Sequence, residues 1–292
     1  MAFRRTAVAA VTITAALCAC VGALGVDDVT YFHFDAGTSD EGAAFILLGS
    51  SFGIDQVNPV EASAQIEGNQ LNAQFGNAVA SAGDVNGDGY DDVVIGSALF
   101  NAGQTDEGVA WIYLGSPSGI PDGNPATAHA GFESNQANAQ MGFSVASAGD
   151  VNGDGYEDVI IGAPFYDNGL VDEGMAFVYH GSAAGFAFGT PVTANTRLES
   201  DQIDARFGVS VASAGRVDAD AYADVIVGAH TWDGPLLDGG AAFVFRGSAS
   251  GIPDASPLTA HARITSDQAV TRLGFSVAGG GDVNGDGHAD VV

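Results

Sequence analysis

The sequence predicts an all-β protein built from stacked copies of one unit, and three observations carry that prediction. Short runs of Val, Ile, Ala and Phe are punctuated by Gly, Asn, Asp and Pro, while long-chain helix formers such as Lys, Met and Glu are absent or scarce. The same text returns every 66 residues without insertions: Asp84, Asp150, Arg216 and Asp282 share one repeat position. Phe75-Gly76, Met141-Gly142, Phe207-Gly208 and Leu273-Gly274 share another, and Phe45, Trp111, Phe177 and Phe243 a third. Each copy also places an acidic loop between two apolar runs, written DVNGDGYDD at residues 84–92. So regular a period marks one supersecondary unit that cannot bury both faces alone and stacks on its neighbours.

The elements follow in chain order. MAFRR, the apolar run TAVAAVTITAALCACVGAL and the small residues before Val26 read as a secretory signal over residues 1–25, followed by the repeat region over 26–292. A retained membrane anchor and lipid attachment at Cys20, within LCAC, are the alternatives. Cys18 and Cys20 both fall in this segment, so the mature region has no disulfide and no transmembrane span is expected in it. In the copy at 75–140, FGNAVASAGDV leads into the acidic loop and DDVVIG leaves it as a buried β-branched strand. GVAWIYLG is a second strong strand and TAHAGFES a weaker one at the edge. Three or four short antiparallel strands in such a unit resemble one propeller blade; a β-solenoid repeats over far fewer residues.

The acidic loop has the chemistry of a calcium site. Calcium takes oxygen ligands from flexible loops, and alternate positions of a tight turn can point inward together where Gly permits the bend. The first loop offers Asp84, Asn86, Asp88 and Asp92 with the Tyr90 carbonyl between them. The second offers Asp150, Asn152, Asp154, Tyr156 and Asp158, and the fourth Asp282, Asn284, Asp286, His288 and Asp290. A solvated polar turn is the competing reading. An EF-hand is excluded, because its twelfth loop position needs a Glu and Ile95 and Ile161 stand there. In the third loop Arg216 replaces the first acid and Ala221 replaces Gly, while Asp218, Asp220 and Asp224 remain. The Arg216 guanidinium is expected to satisfy those carboxylates in place of a metal. Calcium in the other loops is expected to be structural.

Composition narrows the partners. Acidic residues outnumber basic ones 36 to 8, which disfavours nucleic acid, because neutralising phosphates needs clustered cations. Phe34-Asp35, Phe100-Asn101, Tyr166-Asp167 and Trp232-Asp233 form a further register that reads as inter-blade packing, with a sugar-stacking surface as the alternative. The variable stretches around them are the expected contacts for a protein or glycan ligand on the loop face. His129 and His261 share a position with Asn195, and His180 aligns with Leu114 and Arg246; both read as tolerated variation. No Ser-His-Asp set, HExxH or phosphate-cradling glycine motif accompanies them, so no catalytic residue is assigned.

The acidic loop, the FG pair before it and Ile161-Gly162-Ala163-Pro164 after it resemble the FG-GAP repeats of integrin α-subunits and of many secreted bacterial proteins. Ser97-Ala98 and His230 depart from the GAP pattern. The resemblance implies a seven-bladed β-propeller, of which this chain supplies an incomplete part truncated within a strand at DVV; a closed four-bladed ring is the alternative. It also implies a secreted or cell-surface module for binding or adhesion, with Ca2+ bound. The other reading is the non-catalytic propeller part of a larger secreted hydrolase or lyase.

Overall fold

Strands that are apolar on both faces must be covered on both faces, and the structure does this by stacking sheets. A computed structural model describes residues 8–11, 38–49, 62–234 and 236–292. The first sheet holds β1 (Val8–Val11), β2 (Ala43–Leu48) and β3 (Ala64–Glu67). The second holds β4 (Phe75–Gly83), β5 (Asp92–Ser97), β6 (Val109–Tyr113) and β7 (Ala130–Glu133). The third holds β8 (Ser144–Gly149), β9 (Asp158–Ala163), β10 (Met175–Tyr179) and β11 (Thr196–Glu199). The fourth holds β12 (Phe207–Gly215), β13 (Asp224–Ala229), β14 (Ala241–Phe245) and β15 (Ala262–Thr265). The last is the pair β16 (Gly279–Gly281) and β17 (Asp290–Val291). Within each four-stranded sheet neighbours in sequence pair antiparallel, as in Ile95 opposite Trp111 and Ile161 opposite Phe177. The first strands of successive sheets, β4, β8, β12 and β16, touch in turn. The architecture is a partial β-propeller, one sheet per repeat.

The cores lie between blades. In β5 every residue is buried, and its side chains divide by parity: Val93 and Ile95 pack with Ala44, Ile46 and Ile66 of the first blade, while Val94 packs with Met141, Ile161 and Phe177 of the third. The same division repeats at β9, where Ile160 faces Phe207 and Val227 of the fourth blade. A near-continuous apolar run is therefore a central strand with a core on each side.

The FG and GAP glycines meet across blades. A Cβ on Gly96 would lie 2.0 Å from the carbonyl oxygen of Gly142, one on Gly162 2.0 Å from that of Gly208, and one on Gly228 1.9 Å from that of Gly274. The FG glycines themselves sit in the left-handed region, with φ of 83° at Gly142 and Gly208. Both motifs are thus fixed by one backbone-to-backbone contact that admits no side chain.

Of the segment read as a signal, Val8–Val11 alone is described, and it pairs antiparallel with β2 where β5 stands beside β6. Cys18, Cys20 and Phe34-Asp35 lie outside the described residues. The four-bladed closure would place β17 beside β2; among the described residues β17 pairs with β16 alone, and β2 pairs with β1 and β3.

Candidate metal centre in the acidic loops

The four loops sit on one end of the propeller, each joining the first strand of a blade to the second. The first side chain organises the turn. Asp84 Oδ1 accepts the amides of Gly87 and Asp88 at 2.7 and 3.0 Å, and Oδ2 accepts that of Gly89 at 2.8 Å. Asn86 Oδ1 accepts from Asp88 N at 2.9 Å and Asp88 Oδ1 from Tyr90 N at 3.0 Å, so each acidic or amide position closes a turn over the next. Gly87 and Gly89 supply the left-handed backbone this needs, with φ of 74° and 90°.

The pattern is copied closely in two further loops. Asp150 accepts from Gly153, Asp154 and Gly155 at 2.6, 3.1 and 2.9 Å. Asp282 accepts from Gly285, Asp286 and Gly287 at 2.7, 3.1 and 2.9 Å. The turns over Asn152, Asp154, Asn284 and Asp286 recur as well, closed by the amides of Asp154, Tyr156, Asp286 and His288.

The last acid of each loop plays a different part. Asp92 and Asp158 are fully buried at the start of β5 and β9. Asp92 Oδ2 accepts from Val85 N at 2.9 Å and Oδ1 from Gly115 N at 2.7 Å, tying the loop to the end of β6. Asp158 does the same with Val151 and Gly181, both at 2.9 Å, and Asp290 Oδ2 accepts from Val283 N at 2.8 Å. Burial pushes the Asp92 carboxyl up to about 6 and that of Asp158 to about 7. The two amide bonds oppose this shift, and the negative charges of the other two loop acids reinforce it. Ionising these buried carboxyls is therefore unfavourable, a condition that either a proton or a nearby cation relieves.

The oxygen-only donors fit a hard cation such as calcium in kind. The Oδ1 atoms of Asp84, Asp150 and Asp282 each spend both lone pairs on two amides, while their Oδ2 atoms, bonded to one amide each, retain one. No three His, Cys, Asp or Glu side chains converge into one metal-holding group among the described residues; the loop oxygens face the loop's own amides.

The third loop differs, and not as the sequence led us to expect. Arg216 is exposed and forms no ion pair within 4.0 Å among the described residues. The cation on this loop comes from Arg246 at the end of β14, whose Nη1 lies 2.8 Å from Asp218 Oδ2. Backbone donation from Asp220, and then Arg246, hold the Asp218 carboxyl below its ordinary value. Arg216 cannot accept amides, and Ala219 and Ala221 stand where the other loops carry glycine; neither Ala is left-handed. Asp224 keeps its two bonds, to Val217 N at 2.8 Å and Gly247 N at 2.9 Å. The position shared by Leu114, His180 and Arg246 is therefore not idle variation: His180 Nδ1 lies 3.2 Å from Asn152 Nδ2, beside the second loop as Arg246 is beside the third.

Sequence reasoning also missed the buried Glu41, Glu107 and Glu173, which stand one repeat apart. Glu173 Oε1 accepts the amides of Asn168 and Leu170 at 2.7 and 3.1 Å, and Glu107 Oε1 that of Gln104 at 2.8 Å. A Glu directly before Gly42, Gly108 and Gly174 was the available signal. The aromatic register is packing: Phe100–Trp111, Tyr166–Phe177 and Trp232–Phe243 meet edge to face at 5.2, 5.6 and 5.5 Å, within their own blades and against the inter-blade cores.

Residues 75–113 and 141–179, each running from the FG position through the loop to the end of the third strand, match the family model described as FG-GAP repeat. These are FG-GAP repeats. The chain is also 33% identical to integrin alpha-5 of Xenopus laevis over 175 residues, 58% of this chain and 16% of that protein. It is 30% identical to integrin alpha-PS2 of Drosophila melanogaster over 173 residues, 58% of this chain and 12% of that protein. It is 30% identical to integrin alpha-3 of Cricetulus griseus over 193 residues, 64% and 16%. The matched stretch thus spans less than a fifth of these relatives' length. Among the described residues no helix is long and apolar enough to cross a membrane.

Proposed function

We propose that this FG-GAP chain is an extracellular or cell-surface propeller module for binding or adhesion, non-enzymatic, with structural calcium in three loops. The observation that carries the reading is the identical amide-to-carboxylate pattern of the loops headed by Asp84, Asp150 and Asp282. Asp84, Asn86, Asp88, Asp92 and the Tyr90 carbonyl would hold the ion in the first loop, and Asp150, Asn152, Asp154, Asp158 and the Tyr156 carbonyl in the second. Asp282, Asn284, Asp286, Asp290 and the His288 carbonyl would do so in the fourth. The third loop, with Arg246 already on Asp218, takes none. Bound calcium neutralises buried carboxylates and holds the turn, a stapling role suited to a mature region without cysteine. The signal over residues 1–25 delivers the chain to a compartment where calcium is available at the 0.1–1 mM dissociation constants typical of extracellular modules, roughly. Similarity to integrin alpha chains supports the adhesion reading, and a protein or glycan ligand on the loop face follows from it.

Calorimetric titration with calcium of the chain lacking residues 1–25, paired with melting in calcium and in chelator, tests this. Saturable binding at three sites with a rise in melting temperature is expected. No binding and no shift would reduce the loops to hydrogen-bonded turns.

A further inference from the structure

We propose a carbohydrate-binding pocket on the outer rim of the second blade, between β7 and the segment at 188–190, which takes a single pyranose unit. A half-open cavity of about 150 Å3 lies there, lined by Trp111, Gly131, Glu133, Phe188 and Thr190 among others. None of its lining residues belongs to an acidic loop, and it does not depend on their metal.

The pocket exists because three repeat positions change together, two in this blade and one in the β10–β11 connection of the next. Position 131 is Gly, where the other copies carry Gln65, Arg197 and Arg263. Position 188 is Phe, where the neighbouring copies carry Asp122 and Asp254. Position 111 is Trp, where every other copy carries Phe. In the first blade the space is filled and its polar groups are paired: Gln65 Nε2 donates to Glu67 Oε1 at 2.8 Å, and Gln65 N donates to Asp122 Oδ1 at 2.8 Å. In the third, Arg197 N donates to Asp254 Oδ1 at 2.8 Å and Asn168 Nδ2 donates to Glu199. In the second blade the Asp that would accept from residue 131 is replaced by Phe188, and no side-chain amide reaches Glu133 from position 131. A Cβ on Gly131 would sit 2.8 Å from the Trp111 ring and 3.1 Å from Phe188, so Gly is what lets the two aromatic groups line one cavity.

The occupant follows from the walls. Phe188 is 66% exposed and Trp111 is buried, so one ring closes the pocket and the other backs it. The Trp111 edge towards Gly131 is its Cε3–Cζ3 side, the Gly131 amide lacks the carboxylate that Gln65 N and Arg197 N reach, and Glu133, which also meets the Asn135 side chain, offers an acceptor whose carboxyl burial raises. Apolar ring surfaces with an N–H donor and an acceptor at their edge suit a molecule with C–H faces and hydroxyls around its rim. A purely apolar side chain would leave the Gly131 amide unpaired, and a cation would meet that N–H donor. A cavity of this size takes one six-membered ring.

The test uses the full mature chain and methyl glycosides of glucose, galactose, mannose and fucose, with N-acetylglucosamine, each to about 50 mM, a range set by millimolar affinities. Binding is read by saturation-transfer NMR and tryptophan fluorescence. At least one sugar is expected to saturate, with a dissociation constant on the order of 1 mM. Trp111→Phe and Phe188→Asp install residues that other copies carry, and Gly131→Gln fills the cavity as Gln65 does. Each should weaken binding at least about tenfold, the scale of one lost hydrogen bond or ring contact, while the melting temperature holds. Any variant that melts early is set aside for the remaining two. No saturation by any sugar, or unchanged binding in the variants that fold, would overturn the proposal. So would variant-sensitive binding of N-acetylphenylalanine amide or N-acetylarginine amide in place of the sugars, which would assign the pocket to a peptide side chain.

Discussion

The second and third acidic loops occupy equivalent places in adjacent blades and are held by different means. In the second, one carboxylate, Asp150, gathers three backbone amides over two left-handed glycines. In the third, Arg216 gathers none, and Asp218 is held from outside by Arg246. Both retain the buried acid at the strand start, Asp158 or Asp224, with both oxygens on amides. The difference separates two roles that a metal-loop motif superimposes: the last acid anchors the loop to the blade whatever fills it, and the first acid shapes the turn that an ion would occupy.

The largest expected effect tests the shared role. Asp158→Ala and Asp224→Ala each strand two amides and should cost alike, about 2–5 kcal/mol by chemical denaturation in chelator; a large inequality would break the equivalence of the anchors. Next is the unshared role. Asp150→Ala should cost about 1–3 kcal/mol for its lost amide bonds, while Arg216→Ala, on an exposed side chain without an ion-pair partner, should stay within about 0.5 kcal/mol. Equal costs would mean the first position does not shape the turn. Calcium itself comes third: at ten times the dissociation constant each occupied site should add about 1.4 kcal/mol, and chelation should speed amide exchange at Gly153, Asp154 and Gly155 but not at Ala219 and Ala221. Arg216→Asp combined with Ala219→Gly and Ala221→Gly should raise the calorimetric calcium stoichiometry by one. The smallest effect is Arg246→Ala, about 0–1 kcal/mol and weaker in high salt, because the pair is partly exposed. Because Asp218 titrates below its ordinary 3.8, that contribution is present above pH 3.8 and is lost as pH falls through the depressed value. A Tm difference between wild type and Arg246→Ala that persists under strongly acid conditions would contradict the pairing.

The blade was legible because its determinants repeat: the period, the β-branched strands and the Gly-bearing turns all lie within one 66-residue copy. The acidic loop was legible for the same reason, since its Asx turns are local. What escaped was contact between segments. Arg246 reaches Asp218 from 28 residues away, on another strand of the same blade, and no local pattern distinguishes it from Arg216, which is nearer in sequence and points elsewhere. The buried Glu41, Glu107 and Glu173 escaped because an acid ahead of a glycine turn reads as solvated until the chain that covers it is known. The aromatic register was read correctly as packing, because aromatics recurring once per blade lie where the apolar cores recur.

The loops also interlock in one direction. A side chain at Gly87 would collide with Tyr156 of the next loop, and one at Gly153 with Tyr222 of the loop after that; Glu157 and Ala223 donate their amides back to Asp84 and Asp150 at 3.2 and 2.9 Å. Each of the first three loops is thus completed by residues made one repeat later, Ala289 donating likewise to the Arg216 carbonyl at 2.7 Å. On a ribosome, the acidic turn of a blade would emerge before the tyrosine that covers it, so the nascent chain always carries one unfinished, negatively charged loop at its growing end, closed only when the following blade folds against it.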